Sequence, residues 1–95
     1  MYTDQEVRWL LENYLSSVDD SNPYIIIRMA DLKVSYLNLA QKTREILFMC
    51  GVQGLDKNWV AWLTDSHRTT VYRQYKEGIR SLCSIMNGGD PYGEA

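Results

Sequence analysis

The sequence predicts an all-α fold: a small bundle of four to five helices that contains a helix-turn-helix. Three observations lead there. Apolar residues recur at helical spacing in several separate segments. Residues that start and stop helices bracket those segments. No second strand-like segment is present to pair with the one short β-branched run. Ninety-five residues hold about one small domain, and 45% hydrophobic with 23% charged residues is the balance of a folded chain. Three Trp and seven Tyr supply large surfaces for a core.

The first helix spans roughly 4–18. Thr3 and Glu6 are spaced as a capping box, and Val7, Leu10, Leu11, Tyr14, Leu15 and Val18 define one apolar face. Asp19-Asp20-Ser21-Asn22 stops it. Asn22-Pro23 then starts a second helix, with Asn as cap and Pro at the first helical position. Ile25, Met29, Leu32, Tyr36 and Leu39 form its stripe. The rival for 24–27 is a strand, since three consecutive isoleucines favour extended structure; helix is preferred. A boundary near 38–42 divides this segment from the next, where Thr43, Ile46, Leu47 and Cys50 make a short face before Gly51 and Gly54. Leu55, Trp59, Trp62 and Leu63, with Val60 and Ala61, form another short helix capped by Asp56; both tryptophans are expected in the core, the alternative being an exposed partner-binding patch. After the polar turn 64–67, Val71, Tyr75, Ile79, Leu82 and Met86 mark a long amphipathic helix closed by Asn87-Gly88-Gly89. The expected organisation is an acidic N-terminal helix and loop at 1–22, a helical domain at 23–87 and a loose tail at 88–95.

Several function classes are excluded at this stage. No run of about 18 apolar residues occurs, so neither a membrane span nor a membrane partner is expected. The polar, acidic start predicts no secretory signal, and Cys50 and Cys83 are expected to be reduced, buried fillers in a cytoplasmic protein. One histidine and two cysteines do not compose a structural zinc site, and no metal or other cofactor is expected. Gly51-Val52-Gln53-Gly54 lacks the lysine and the strand-to-helix context of a phosphate loop. No nucleophile has a base with an orienting partner, so no enzyme is expected.

Charge is unevenly placed around the net −2. Residues 1–22 sum to −4, whereas 67–86 carry Arg68, Arg73, Lys76 and Arg80 against Glu77 for +3. A short helix, a tight turn and a longer basic helix (about 67–86) together read as a helix-turn-helix. In that motif the first helix braces the second, whose outer face enters a major groove. Val60, Ala61, Leu63 and Val71 are assigned to the buried seam. Arg68, Thr69, Thr70, Tyr72, Arg73, Gln74 and Lys76 are placed on or beside the open face. Arg68, Thr69, Thr70, Arg73 and Gln74 are of the types that read bases: Arg pairs with guanine, Gln with adenine, and Thr meets a thymine methyl. Lys42, Arg44, Lys76 and Arg80 add phosphate contacts. The acidic first helix is expected to face away from DNA or to cover a partner.

Gln41-Lys42-Thr43-Arg44-Glu45-Ile46-Leu47 resembles the opening helix of sigma-factor region 4. Val60-Ala61-Trp62-Leu63 followed by Arg68-Thr69-Thr70-Val71-Tyr72-Arg73-Gln74-Tyr75-Lys76 is similar to that family's helix-turn-helix. Ile79 and Leu82 fall where its last helix keeps apolar residues, so the likeness covers about 31–86. It implies promoter-type binding of double-stranded DNA, contact with RNA polymerase, and a small regulator of phage or bacterial origin acting in the bacterial host cytoplasm. Thr64, Asp65 and Ser66 depart from the family, which has aliphatic residues and a glycine in the turn. Asp65 is suited to a left-handed turn, and Ser66 or His67 to capping the next helix. Few cations predict weak binding by a monomer, so a homodimer or attachment to polymerase is the expected route to affinity. Two alternatives stand beside this reading: a module that binds polymerase or another regulator without DNA, and a DNA-packaging protein like a small terminase subunit.

Overall fold

Six α-helices and no strand form among the described residues, 1–17 and 21–89, of the computed structural model. They are α1 (Asp4–Glu12), α2 (Tyr14–Ser17), α3 (Pro23–Leu37), α4 (Gln41–Leu47), α5 (Lys57–Leu63) and α6 (Arg68–Met86). The all-α class is as the periodicity predicts, with more helices than the four to five expected. The additional one arises because the first predicted helix breaks at Asn13, whose side-chain amide donates to Trp9 O at 2.8 Å. Val18, Asp19 and Asp20, and residues 90–95 of the predicted tail, lie outside the described residues.

Local chemistry explains the starts and stops. Thr3 Oγ1 accepts from the Glu6 amide at 3.2 Å, and its hydroxyl donates to Glu6 Oε1 at 3.4 Å. Asn22 and Asp56 cap α3 and α5 by accepting from the Tyr24 and Asn58 amides at 3.0 and 2.8 Å. The isoleucine run 25–27 is helical, because Pro23 fixes the first turn and a helix brings Ile25 onto the buried face of Met29 and Leu32. α4 widens into a π-turn at Phe48–Val52. There Gly51 lets the chain pass against Leu11, and a Cβ would come to 2.8 Å from Leu11 Cγ.

Helix α6 packs against α1, α3, α4 and α5, so it is the element around which the others are arranged. Val7 and Leu11 of α1, Leu32 of α3, Leu47 of α4, Val60 of α5 and Val71 and Leu82 of α6 are almost wholly excluded from solvent. Burying a leucine completely contributes about 1.5–3 kcal/mol, so this one shared cluster dominates stability. Residues 4–12 belong to the same core as the later helices.

Three expectations fail. Trp59 and Trp62 are 52% and 71% exposed rather than core, and Leu63 is also exposed rather than in the seam. The reason is a choice of faces. Val60 and Ala61 lie on one side of α5 and Trp59, Trp62 and Leu63 on the other. Only the slimmer pair lets α5 approach α6 closely. Leu15 is exposed as well, although its spacing placed it on the buried face.

Candidate nucleic-acid interface

The turn between α5 and α6 is closed by the backbone. The Ser66 amide donates to Ala61 O at 2.9 Å and the Asp65 amide to Trp62 O at 3.4 Å, the paired bonds of a Schellman end. Asp65 sits at φ +52°, the left-handed position usually given to glycine. The polar residues around it are occupied locally. Thr64 Oγ1 donates to Val60 O at 2.8 Å and Ser66 Oγ to Thr64 O at 3.2 Å. Thr64 and Ser66 thus close the turn with hydrogen bonds to the backbone. Neither Ser66 nor His67 caps α6 through its side chain, contrary to expectation. His67 holds the cap position with extended backbone, and Ser66 is turned back into the turn.

Val60, Ala61, Val71 and Tyr75 fill the space between α5 and α6 and neighbouring core, which leaves the opposite side of α6 open. Arg68, Thr69, Tyr72, Arg73, Lys76, Glu77 and Arg80 line a shallow open depression along that side. Arg68 and Arg73 form no ion pair among the described residues. Helical rise separates Arg68 from Arg80 by about 18 Å, comparable with a major groove about 12 Å wide plus its phosphate walls.

The structure does not gather every predicted contact on this side. Thr70 and Gln74 are half-buried and project from the flank of α6, outside the depression. Lys42 is exposed on α4, also away from it. Arg44 is half-buried and donates from Nη1 to Leu37 O at 3.2 Å, while Tyr36 Oη donates to Arg44 O at 2.9 Å. Arg44 thereby ties the end of α3 to α4. Nor does α1 face away: it packs on α6, and Asp4 lies 3.9 Å from Arg80 Nε. The apolar face of α1 needs α6 for burial, which carries its acidic first turn alongside the basic helix.

Lys57 and Arg8 extend the cationic region and were missed in the sequence. Lys57 Nζ sits 5.5 Å from the Tyr72 ring centre and 5.0 Å from that of Tyr75, and Lys76 Nζ sits 6.0 Å from Tyr72. Lys57 had one visible signal: it is the first residue of α5, where a cation opposes the helix dipole. Arg8 had none, because its proximity comes entirely from packing.

Beneath this region lies a hydrogen-bond network that ties α1 to α6. Tyr75 Oη donates to Glu12 Oε2 at 2.9 Å, and Arg8 Nε donates to the same oxygen at 2.8 Å. Burial pushes the Glu12 carboxyl upward, but the bonds from Arg8 and Tyr75 and the charges of Arg8 and Lys57 outweigh it, leaving the net value below the ordinary one. Burial first, then the bond to Glu12, raises the Tyr75 phenol well above its usual range. Burial also raises the Cys50 thiol, and burial with Asp4 nearby pushes Cys83 up to about 11, so both stay protonated at neutral pH. No group of three or more His, Cys, Asp or Glu residues is placed to hold a metal ion among the described residues. No helix among them is long and apolar enough to cross a membrane.

The class these features define is an all-α protein with a braced, solvent-facing basic helix. Comparison with family models, curated proteins and solved structures finds no match, so the likeness to sigma region 4 rests on the residues quoted for it.

Proposed function

We propose that this chain is a DNA-binding transcriptional regulator that presents the outer side of α6 to a major groove. One observation carries the reading: Arg68, Arg73, Lys76 and Arg80 share the open side of a helix that α5 braces through a closed turn. Arg68, Thr69 and Arg73 lie at the leading half, where base edges are read, and Lys76 and Arg80 follow toward the phosphates. Thr70 and Gln74 project sideways and Lys42 and Arg44 lie outside the depression, so none of the four takes part in the main contact. Contact with RNA polymerase remains part of the proposal through the likeness to sigma region 4. Fluorescence anisotropy with mixed-sequence duplexes tests it. Binding that weakens steeply with salt, and further with Arg68→Ala or Arg73→Ala, supports DNA recognition. No binding at low salt rejects it.

A second reading has its own observation. Trp59 and Trp62 stack at 5.1 Å between ring centres, with planes 22° apart, on the exposed side of α5. Exposed tryptophans are favoured anchors of protein interfaces. A module that binds polymerase or another regulator without DNA accounts for that stack, and Trp62→Ala would then abolish partner binding while Arg73→Ala would not. Nothing in the structure favours the packaging alternative.

A further inference from the structure

Helix α3 buries only one side. Met29, Leu32 and Ser35 face the core, with Ile25 and Tyr36 partly covered. The opposite side carries Ile26, Ile27, Ala30, Val34 and Leu37, all exposed, and the four larger ones are 52–63% open to solvent. Ile27, Ala30, Val34 and Leu37 follow a 3-4-3 spacing, the seam along which two helices interlock. Leu15 continues the surface: with Leu37 and Lys33 it borders an apolar groove of about 200 Å³ between α2, α3 and the π-turn.

We propose that this outer side of α3 is the surface through which two copies of the chain pair. Area argues for a second copy. An exposed aliphatic side chain at these exposures presents roughly 100 Å², so Ile26, Ile27, Val34 and Leu37 of α3 together with Leu15 of α2 leave on the order of 500 Å² of apolar surface open. A stable interface takes about 800 Å² from each partner, of which about 60% is apolar, or nearly the same amount. Charge agrees. Lys33 is the single charged residue within the stripe and Asp31 lies at its margin, so two such faces meet without a like-charge cluster. Ala30 near the centre allows close approach, and a two-fold axis makes one patch complementary to itself. The inference is independent of the DNA reading. Its consequence for that reading is that two α6 helices on one particle would raise affinity by linking two weak contacts.

The test reads mass, with no duplex present, so its failure leaves the DNA assay untouched. Sedimentation equilibrium of the full chain, from low micromolar to several hundred micromolar, is expected to reach twice the 11.1 kDa monomer mass. Val34→Lys is expected to hold the chain at monomer mass with unchanged helical circular dichroism, whereas Trp62→Lys leaves dimerisation intact. Amide resonances followed through dilution of the wild-type chain provide a second readout, independent of whether the variant folds; residues 26–37 are expected to shift. A wild-type chain that stays monomeric throughout overturns the proposal. So does a dimer that survives Val34→Lys, one that Trp62→Lys dissociates, or dilution shifts confined to α5 or α6.

Discussion

Arg73→Ala gives the sharpest test of the α6 interface, because the structure fixes how many charges the helix offers. Four cations line its open side: Arg68, Arg73, Lys76 and Arg80. On a mixed-sequence duplex Arg68 and Arg73 meet phosphates rather than chosen bases, and each neutralised phosphate contributes about −0.9 to the slope of log affinity against log salt, so four contacts, with Arg80 turned from Asp4 to the duplex, give a slope of about −3.6. Between 50 and 200 mM salt, that slope is a loss of about 150-fold in affinity. Removing Arg73 leaves three contacts, a slope of about −2.7 and a loss of about 40-fold over the same range. Arg68→Ala is expected to behave alike. Lys42→Ala and Gln74→Ala are expected to change the slope by less than half of one contact, since neither residue lines that side. Anisotropy of a labelled mixed-sequence duplex measures all five proteins in one series. A wild-type slope flatter than about −1, or an Arg73→Ala series that superposes on wild type, refutes the placement of the duplex on α6.

Three further outcomes follow from the packing. Asp65→Gly is expected to stabilise the chain by up to about 1 kcal/mol in urea unfolding, since glycine occupies φ +52° without the clash that Asp meets. Unchanged stability would show that the Asp side chain compensates in place. Gly51→Ala is expected to cost about 1–3 kcal/mol, because the new methyl overlaps Leu11, which is buried on every side; thermal unfolding measures it. The Glu12–Tyr75 pair predicts two pH limbs. Glu12 has a lowered folded value, so its contribution is present above the unfolded value near 4.5 and is lost as pH falls through the folded one. Tyr75 has a raised folded value, so its contribution is complete below pH 10 and lost as pH rises further. Tyr75→Phe should flatten the alkaline limb, and equal alkaline slopes in the two proteins would argue against that bond.

Much of the fold was legible because local rules and the core agreed. Thr3, Asn22 and Asp56 cap where capping chemistry says they should, and Met29, Leu32, Ile46, Leu47, Val71, Tyr75 and Ile79 are buried where the helical period put them. The left-handed Asp65 was legible too, since Asp tolerates that conformation better than most residues. The site was legible along one helix only. Arg68, Arg73, Lys76 and Arg80 come together because one period governs them, whereas that Thr70 and Gln74 are half-buried on the flank was decided by packing.

The sequence by itself determined most of the helical segments, their N-terminal caps and that a basic helix follows a tight turn, since each depends on neighbours within a few residues; the break at Asn13 and the π-turn at Phe48–Val52 were not legible in it. Tertiary structure decided which of two apolar faces is buried. α5 has Val60 and Ala61 on one side and Trp59, Trp62 and Leu63 on the other, and α3 is apolar on both sides. Periodicity marks such faces without ranking them. Close packing against α6 ranks them, by the shape that fits the space available. The same packing brings Asp4, Arg8 and Lys57 beside α6, a charge environment that no spacing along the chain encodes.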